Sequence, residues 1–259
     1  MDIVVAAIAG LGIGVVVGML GAGGGILSVP ALVYFLGFSP HEAAAGSLVI
    51  VALSAVTALW SHARAGNVNW RGGVLVAAAS SLGAIGGARL APLLSGRALM
   101  ITFSILLCAV GIAMVRSGFK ARTNDAETRD SRPARHNSPR PWAIIAGGLG
   151  VGLLAGVFGV GGGFAVVPML VYVFGFSMRE AAGTSVLVMA ITAVFGLLGR
   201  IGTDVTINWP VIAVFAAASA LGGLVGAPIS RKVSAATLTI AFGALLLAIA
   251  AITAIQNVC

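Results

Sequence analysis

The groups in this chain best placed to do chemistry are backbone amides rather than side chains. "GAGGG" at residues 21–25 and "GVGGG" at 159–163 interrupt otherwise apolar runs. Each glycine inside a helix costs about 1 kcal/mol relative to alanine, so each triple glycine predicts a break. A break within a membrane releases N–H and C=O groups that must face protein, water or a ligand. Glycine also allows left-handed backbone angles and the close approach of another group. Pro30 and Pro168 follow the two clusters. Proline is best tolerated in the first helical turn, which predicts a half-helix beginning near Ser28 with "GGGIL" non-helical before it. The N–H groups of Gly23, Gly24 and Gly25, and of Gly161, Gly162 and Gly163, then lie at the positive end of a helix dipole and make anion sites. Two copies can converge on one anion, as discontinuous helices do in secondary transporters.

Hydroxyls lie close by in sequence. Ser28 opens the expected half-helix, Ser47 stands in Ala45-Gly46-Ser47, and Thr184 and Ser185 stand in Gly183-Thr184-Ser185. They can donate to a bound oxyanion or bond only to the preceding helical turn. Glu42 and Glu180 occupy matching places and could couple protons. Their settings, "SPHE" at 39–42 and "SMRE" at 177–180, read instead as capping boxes closed by Ser39 and Ser177. His62 and Arg200 match each other at the exit of an apolar segment, and Arg89 lies near the end of another. Such residues snorkel to headgroups or form a charge-selecting mouth. His41, His62, His136, Cys108 and Cys259 are scattered, without metal-ligand spacing. No nucleotide-binding motif is present, so no cofactor and no catalysis are expected.

A second reading sets packing against chemistry. Small residues let membrane helices approach closely, and Gly10, Gly14 and Gly18 recur at spacings of four. Three adjacent glycines cannot share one packing face, which repeats every three to four residues. On the packing reading alone, the chain would be a non-transporting membrane assembly or enzyme subunit.

The elements that must position these groups are membrane helices. The 259 residues are 59% hydrophobic and 8% charged, with a mean hydropathy of +1.09. Long apolar runs with little β-type alternation predict an all-α polytopic membrane protein. Of fifteen Lys and Arg, seven lie between Arg116 and Arg140. Basic loops stay on the cytoplasmic side, which places this stretch there as a solvated linker. It lacks the interleaved aromatics of a nucleic-acid surface. Anionic lipid is a second reading for it. The lipid bilayer is the expected surrounding; a homodimer is compatible with the sequence, and nothing in it specifies one.

The chain repeats itself. Shifted by 138 residues, 10–47 falls on 148–185: Pro30 on Pro168, Tyr34 on Tyr172, Glu42 on Glu180. Beyond that the shift is 139, pairing Asn69-Trp70 with Asn208-Trp209. The organisation expected is a first transmembrane repeat over 1–116, a basic linker over 117–141 and a second repeat over 142–259. Apolar segments run over about 3–20, 26–37, 43–61, 72–93 and 98–116, then 142–158, 164–175, 181–199, 209–229 and 235–256. The first two of each set are together too long for one straight crossing and short for two. They form either a hairpin, giving ten segments and an inverted repeat, or one interrupted crossing, giving eight and a parallel repeat. The reading adopted is eight crossings. Residues 3–20 lack the basic start of a signal peptide and have a copy inside the chain.

The pattern G-x-G-G-G-x-x-x-x-P-x-L at 21–32 and 159–170, followed by "AAAGS" and "AAGTS", resembles the TauE/SafE sulfite exporter family. The resemblance covers the chain apart from the linker. It implies a membrane transporter of small sulfur-containing anions such as sulfite, sulfonates or thiosulfate, with the glycine-motif positions at Gly23, Gly24, Gly25 and Pro30 and at Gly161, Gly162, Gly163 and Pro168. The first half shows Ala45-Gly46-Ser47 where the second has Gly183-Thr184-Ser185, which implies unequal hydroxyl contributions. The expected function is a secondary permease of a bacterial inner membrane, working by alternating access. A cation permease would need intramembrane carboxylates or clustered ligands, which the sequence lacks.

Overall fold

The computed structural model describes residues 2–20, 25–124, 141–172, 174, 176, 178–203, 205, 207–230 and 235–258. Among them every regular element is helical. The order is α1 (Asp2–Leu20), α2 (Gly25–Leu36), α3 (Pro40–Arg64), α4 (Trp70–Leu90), α5 (Gly96–Asn124), α6 (Pro141–Phe158), α7 (Gly163–Tyr172), α8 (Met178–Gly199), α9 (Trp209–Ser230) and α10 (Ala235–Val258), with a 3₁₀ turn at Ala91–Leu93. Five helices are long and apolar enough to cross a membrane: those over Pro40–Arg64, Trp70–Leu93, Gly96–Lys120, Glu180–Gly199 and Thr239–Gln256. Four more described apolar stretches are shorter. The protein is a multi-pass integral membrane protein. Helix α5 runs on through residues 117–124, into the segment read from sequence as linker.

Small residues fix which helices lie together. A Cβ on Gly10 would meet the Phe215 carbonyl, one on Gly14 the backbone of Ser219, and one on Gly222 the Leu11 carbonyl. Helices α1 and α9 therefore run parallel at backbone contact. Gly148 and Gly152 meet Val76 and Ser80, while Gly83 and Gly87 meet Leu149 and Leu153, so α6 and α4 are parallel in the same way. Helices α1 and α6 match in sequence, as do α4 and α9; each has the other half's helix as its neighbour. Glycine at these positions is the price of close approach, which dispersion contacts along the seam offset. Helices α5 and α10 pack antiparallel through Gly111, Gly118 and Gly243.

Helix α8 is the most buried of the five long apolar helices, and α3 packs on it. Leu48, Val51 and Ala55 of α3 meet Val186, Met189, Ala190 and Ala193 of α8 in a buried cluster.

The glycine motif at 159–163 turns the chain around. Gly162 lies against Val151 and Ala155 of α6, and Met169 of α7 lies against Gly147. Helices α6 and α7 are therefore an antiparallel hairpin. Helix α1 runs away from the end where α9 starts, and α2 returns there, since Phe38 beyond α2 shares a cavity with Asn208. Among the described residues the eight-crossing reading thus gives way to ten α-helices, five up to residue 124 and five from residue 141 on. An odd number per half makes the second half run opposite to the first. Sequence could not decide this, because apolar content is the same for a bent-back pair and a broken crossing.

Candidate functional site

The second break matches three left-handed glycines: φ is +73° at Gly159, +70° at Gly161 and +74° at Gly162. Residues with a Cβ avoid this region. The Gly159 N–H closes α6 on the Ala155 carbonyl at 2.9 Å, and the Gly162 carbonyl opens α7, accepting from Ala165 and Val166 at 2.9 Å each. Between them, among the described residues, no backbone carbonyl accepts from Val160 or Gly161. All five residues are buried.

Gly25, the first residue of α2, sits against the Val160 carbonyl and the Val51 side chain, with no room for a Cβ. Gly161 also abuts Val51, and Gly163 abuts Met189. Val51 is midway along α3 and Met189 midway along α8. The N-terminal ends of α2 and α7 therefore meet midway along α3 and α8. Both bring the positive end of a helix dipole to that point. Gly23 and Gly24 lie outside the described residues.

Helix α2 begins at Gly25 and α7 at Gly163, not near Ser28. Pro30 and Pro168 are consequently interior. A helix-interior proline costs about 3 kcal/mol, whereas Ile26 and Leu27, buried to 1% and 5% exposure, each gain about 1.5–3 kcal/mol. Burial outweighs local preference and draws "GIL" into the helix.

The candidate hydroxyls part company. Ser47 is fully buried and donates to the Gly159 carbonyl, joining α3 to the break. Ser28 is fully buried one turn into α2. Thr184 accepts from the Asn69 N–H at 3.0 Å, near the start of α8, and Ser185 donates to Ala182 of its own helix at 2.8 Å. Ser39 is the N-cap of α3 in a reciprocal capping box with Glu42, with proline in the first turn. Glu180 accepts from the Asn69 side-chain amide at 3.1 Å. Ser177, its expected capping partner, lies outside the described residues.

Arg200, ambiguous in sequence, is only 5% exposed. Its Nη2 donates to the Gly156 carbonyl at 2.9 Å and to Val157 at 3.3 Å, satisfying the C-terminal turn of α6 just before the break. Burial lowers its pKa to about 10, so the group stays charged near neutrality and complements the negative helix end. Phe158 anchors the same turn against Phe103, with centroids 5.6 Å apart.

Arg89 is held at the α4 end by its Nε–H, which donates to the Gly199 carbonyl at 2.9 Å. It lines a cavity of about 510 Å³ with His41 and Glu42. Sequence reasoning missed Val51, Met189 and Thr192. Thr192 is buried, and its hydroxyl has no partner among the described residues. A lone Thr or Met in an apolar helix carries no signal of its neighbours.

A helical bundle with a glycine-tipped hairpin meeting a second helix start at its middle defines a polytopic membrane protein built around an interrupted-helix centre. The sequence profile of the family described as "Sulfite exporter TauE/SafE" matches residues 6–253, and the chain belongs to that family. It is 32% identical over 241 residues to a "Probable membrane transporter protein" of Xylella fastidiosa strain Temecula1, spanning 92% of this chain and 89% of the relative. It is 24% identical over 252 residues, 92% of each chain, to the "Probable membrane transporter protein YunE" of Bacillus subtilis. A similarly described relative in Methanocaldococcus jannaschii is 23% identical over 253 residues, covering 92% of this chain and 90% of that one. No solved structure matches the chain.

Proposed function

We propose that the chain is a secondary permease of a bacterial inner membrane for a small sulfur-containing oxyanion: sulfite, a sulfonate or thiosulfate. The anion is held by backbone N–H groups at the glycine breaks and released to either side by alternating access, without ATP hydrolysis. The basic linker faces the cytoplasm, following the positive-inside rule. The observation that carries the reading is the junction of Gly25 with Val160, where two helix N-termini meet midway along α3 and α8. Left-handed glycines there leave the Val160 and Gly161 amides outside any described backbone ladder, in the manner of discontinuous-helix carriers.

The test is flux in proteoliposomes containing the purified chain, with labelled sulfite, thiosulfate, taurine, sulfoacetate, sulfate and chloride. Saturable uptake of one sulfur oxyanion, competed by its congeners, is expected. Vesicles that take up none of them overturn the permease. Ser47→Ala releases the Gly159 carbonyl from its side-chain partner and is expected to raise KM about tenfold.

A further inference from the structure

We propose that Ser80 and Thr192 are substrate-binding residues, whose hydroxyls donate from α4 and α8 to the oxyanion held at the start of α7. This rests on the permease reading and deepens it by naming side chains that complete the site.

Ser80 and Thr192 are 0% and 1% exposed, and neither hydroxyl has a partner among the described residues. Buried polar groups are nearly always bonded, and within a helix the carbonyl of the preceding turn is at hand. Ser81, next to Ser80, uses it, donating to the Ala77 carbonyl at 2.7 Å. Ser54 likewise donates to the Val51 carbonyl at 3.1 Å. Ser80 and Thr192 do neither.

The packing brings the two together. Val76 of α4 and Val188 of α8 share a buried cluster, and a Cβ on Gly196 of α8 would lie 3.8 Å from the Ala84 Cβ of α4. Ser80 is four residues from both Val76 and Ala84, and Thr192 four from both Val188 and Gly196. Residues four apart share a helix face, so Ser80 and Thr192 stand opposite each other along the seam. Helix α7 runs the other way beside α8: Val166 belongs to the cluster of Val188, and Gly163 abuts Met189. One turn beyond Met189, Thr192 falls at the tip of the α6–α7 hairpin. There the left-handed glycines and the first turn of α7 present their amides.

The surroundings select the sign of the ligand. Helices α4, α6 and α7 contain no acidic residue, and α8 contains only Glu180, in its first turn. The carbonyls that end α6 are taken by Arg200. A cation finds no carboxylate there, whereas an oxyanion has several oxygens to share between amides and hydroxyls. Ser80 lies in the first half and Thr192 in the second, so both halves hold the anion, as a site at a repeat interface requires. The repeat sets Ser219 on Ser80 and Ser54 on Thr192. Gly14 lies on the Ser219 backbone as Gly152 lies on that of Ser80. Ser54, unlike Thr192, is bonded within its own helix, which favours the α7 side as the seat.

The test is thermal melting of the purified full chain in detergent, titrated with sulfite, thiosulfate and sulfoacetate. At least one is expected to stabilise the wild type saturably. Thr192→Val and Ser80→Ala each remove a hydroxyl that has no protein partner, so without anion they should melt at or above the wild-type temperature. Each should weaken the stabilising anion's affinity about tenfold. Thr192→Ser, which keeps the hydroxyl, and Ser81→Ala, whose hydroxyl serves its own helix, should retain wild-type affinity. Unchanged affinity in either Thr192→Val or Ser80→Ala overturns the inference, as does an equal loss in Ser81→Ala; anion flux through the wild type then leaves the permease standing. A wild-type chain stabilised by none of the three anions also overturns the inference, and flux decides the permease reading separately.

Discussion

At Gly162 the backbone φ is +74°, and the Val151 side chain lies 2.8 Å from where a Cβ would stand. Alanine there costs about 1–2 kcal/mol for the left-handed backbone alone, before any crowding. Gly150, in α6, has nothing within 4 Å of its Cβ position, and alanine gains up to about 1 kcal/mol of helix propensity. Thermal melting in detergent should therefore move down for Gly162→Ala and stay or rise for Gly150→Ala; a reversed order contradicts the break geometry. At Ser39 the capping box closes α3. Ser39→Ala is expected to cost about 1 kcal/mol, and Ser39→Asp, which keeps an acceptor, much less. Equal losses would leave the cap without energetic weight. The Ser39–Glu42 box was legible because capping is local. The partners of Thr184 and Glu180 were not, because Asn69 is more than 100 residues away.

The element that matters most is the α6–α7 hairpin. Its first helix ends with carbonyls that no further turn can satisfy, and Arg200, arriving from beyond α8, supplies the donors. Arg200→Met leaves two buried carbonyls unpaired and is expected to destabilise by roughly 2–4 kcal/mol. Arg200→Lys, with a compact ammonium in place of the fork, should retain part of the loss in equilibrium unfolding. If Met and Lys behave alike, the guanidinium is not what closes the helix. Sequence placed Arg200 at a segment exit, where snorkelling is the default. It could not reveal that the exit borders the end of α6, since that juxtaposition arises only when α8 and α6 share one end of the bundle.

At the scale of the molecule, five helices per half put the start of α6 at the opposite end from the start of α1. The α6-start end also holds Arg64, stacked on exposed Trp60 at 4.5 Å, with exposed Trp70 and Trp142 nearby in the helix order. Trp and basic residues favour the interface. On the proposed orientation, which sets the basic linker inside the cell, Ala65 is expected to face the cytoplasm and Leu93, 79% exposed, the outside. In a Cys108→Ser, Cys259→Ser background, an impermeant maleimide added to whole cells should label Leu93→Cys and spare Ala65→Cys. The opposite pattern inverts the orientation.

The sequence by itself determined the membrane class, the approximate extent of most helical segments, the interruption at 159–163 and the family. Each of these is written in local composition or short spacing, although tertiary burial moved the helix starts within the glycine motifs. Only the tertiary structure decided that the paired short segments fold back as hairpins, that Gly25 meets Val160, and that α2 and α7 begin before their prolines. These turn on which surfaces bury one another across the two halves. Hydropathy is blind to direction, so helices running one way or the other through the bilayer read alike until their neighbours are known.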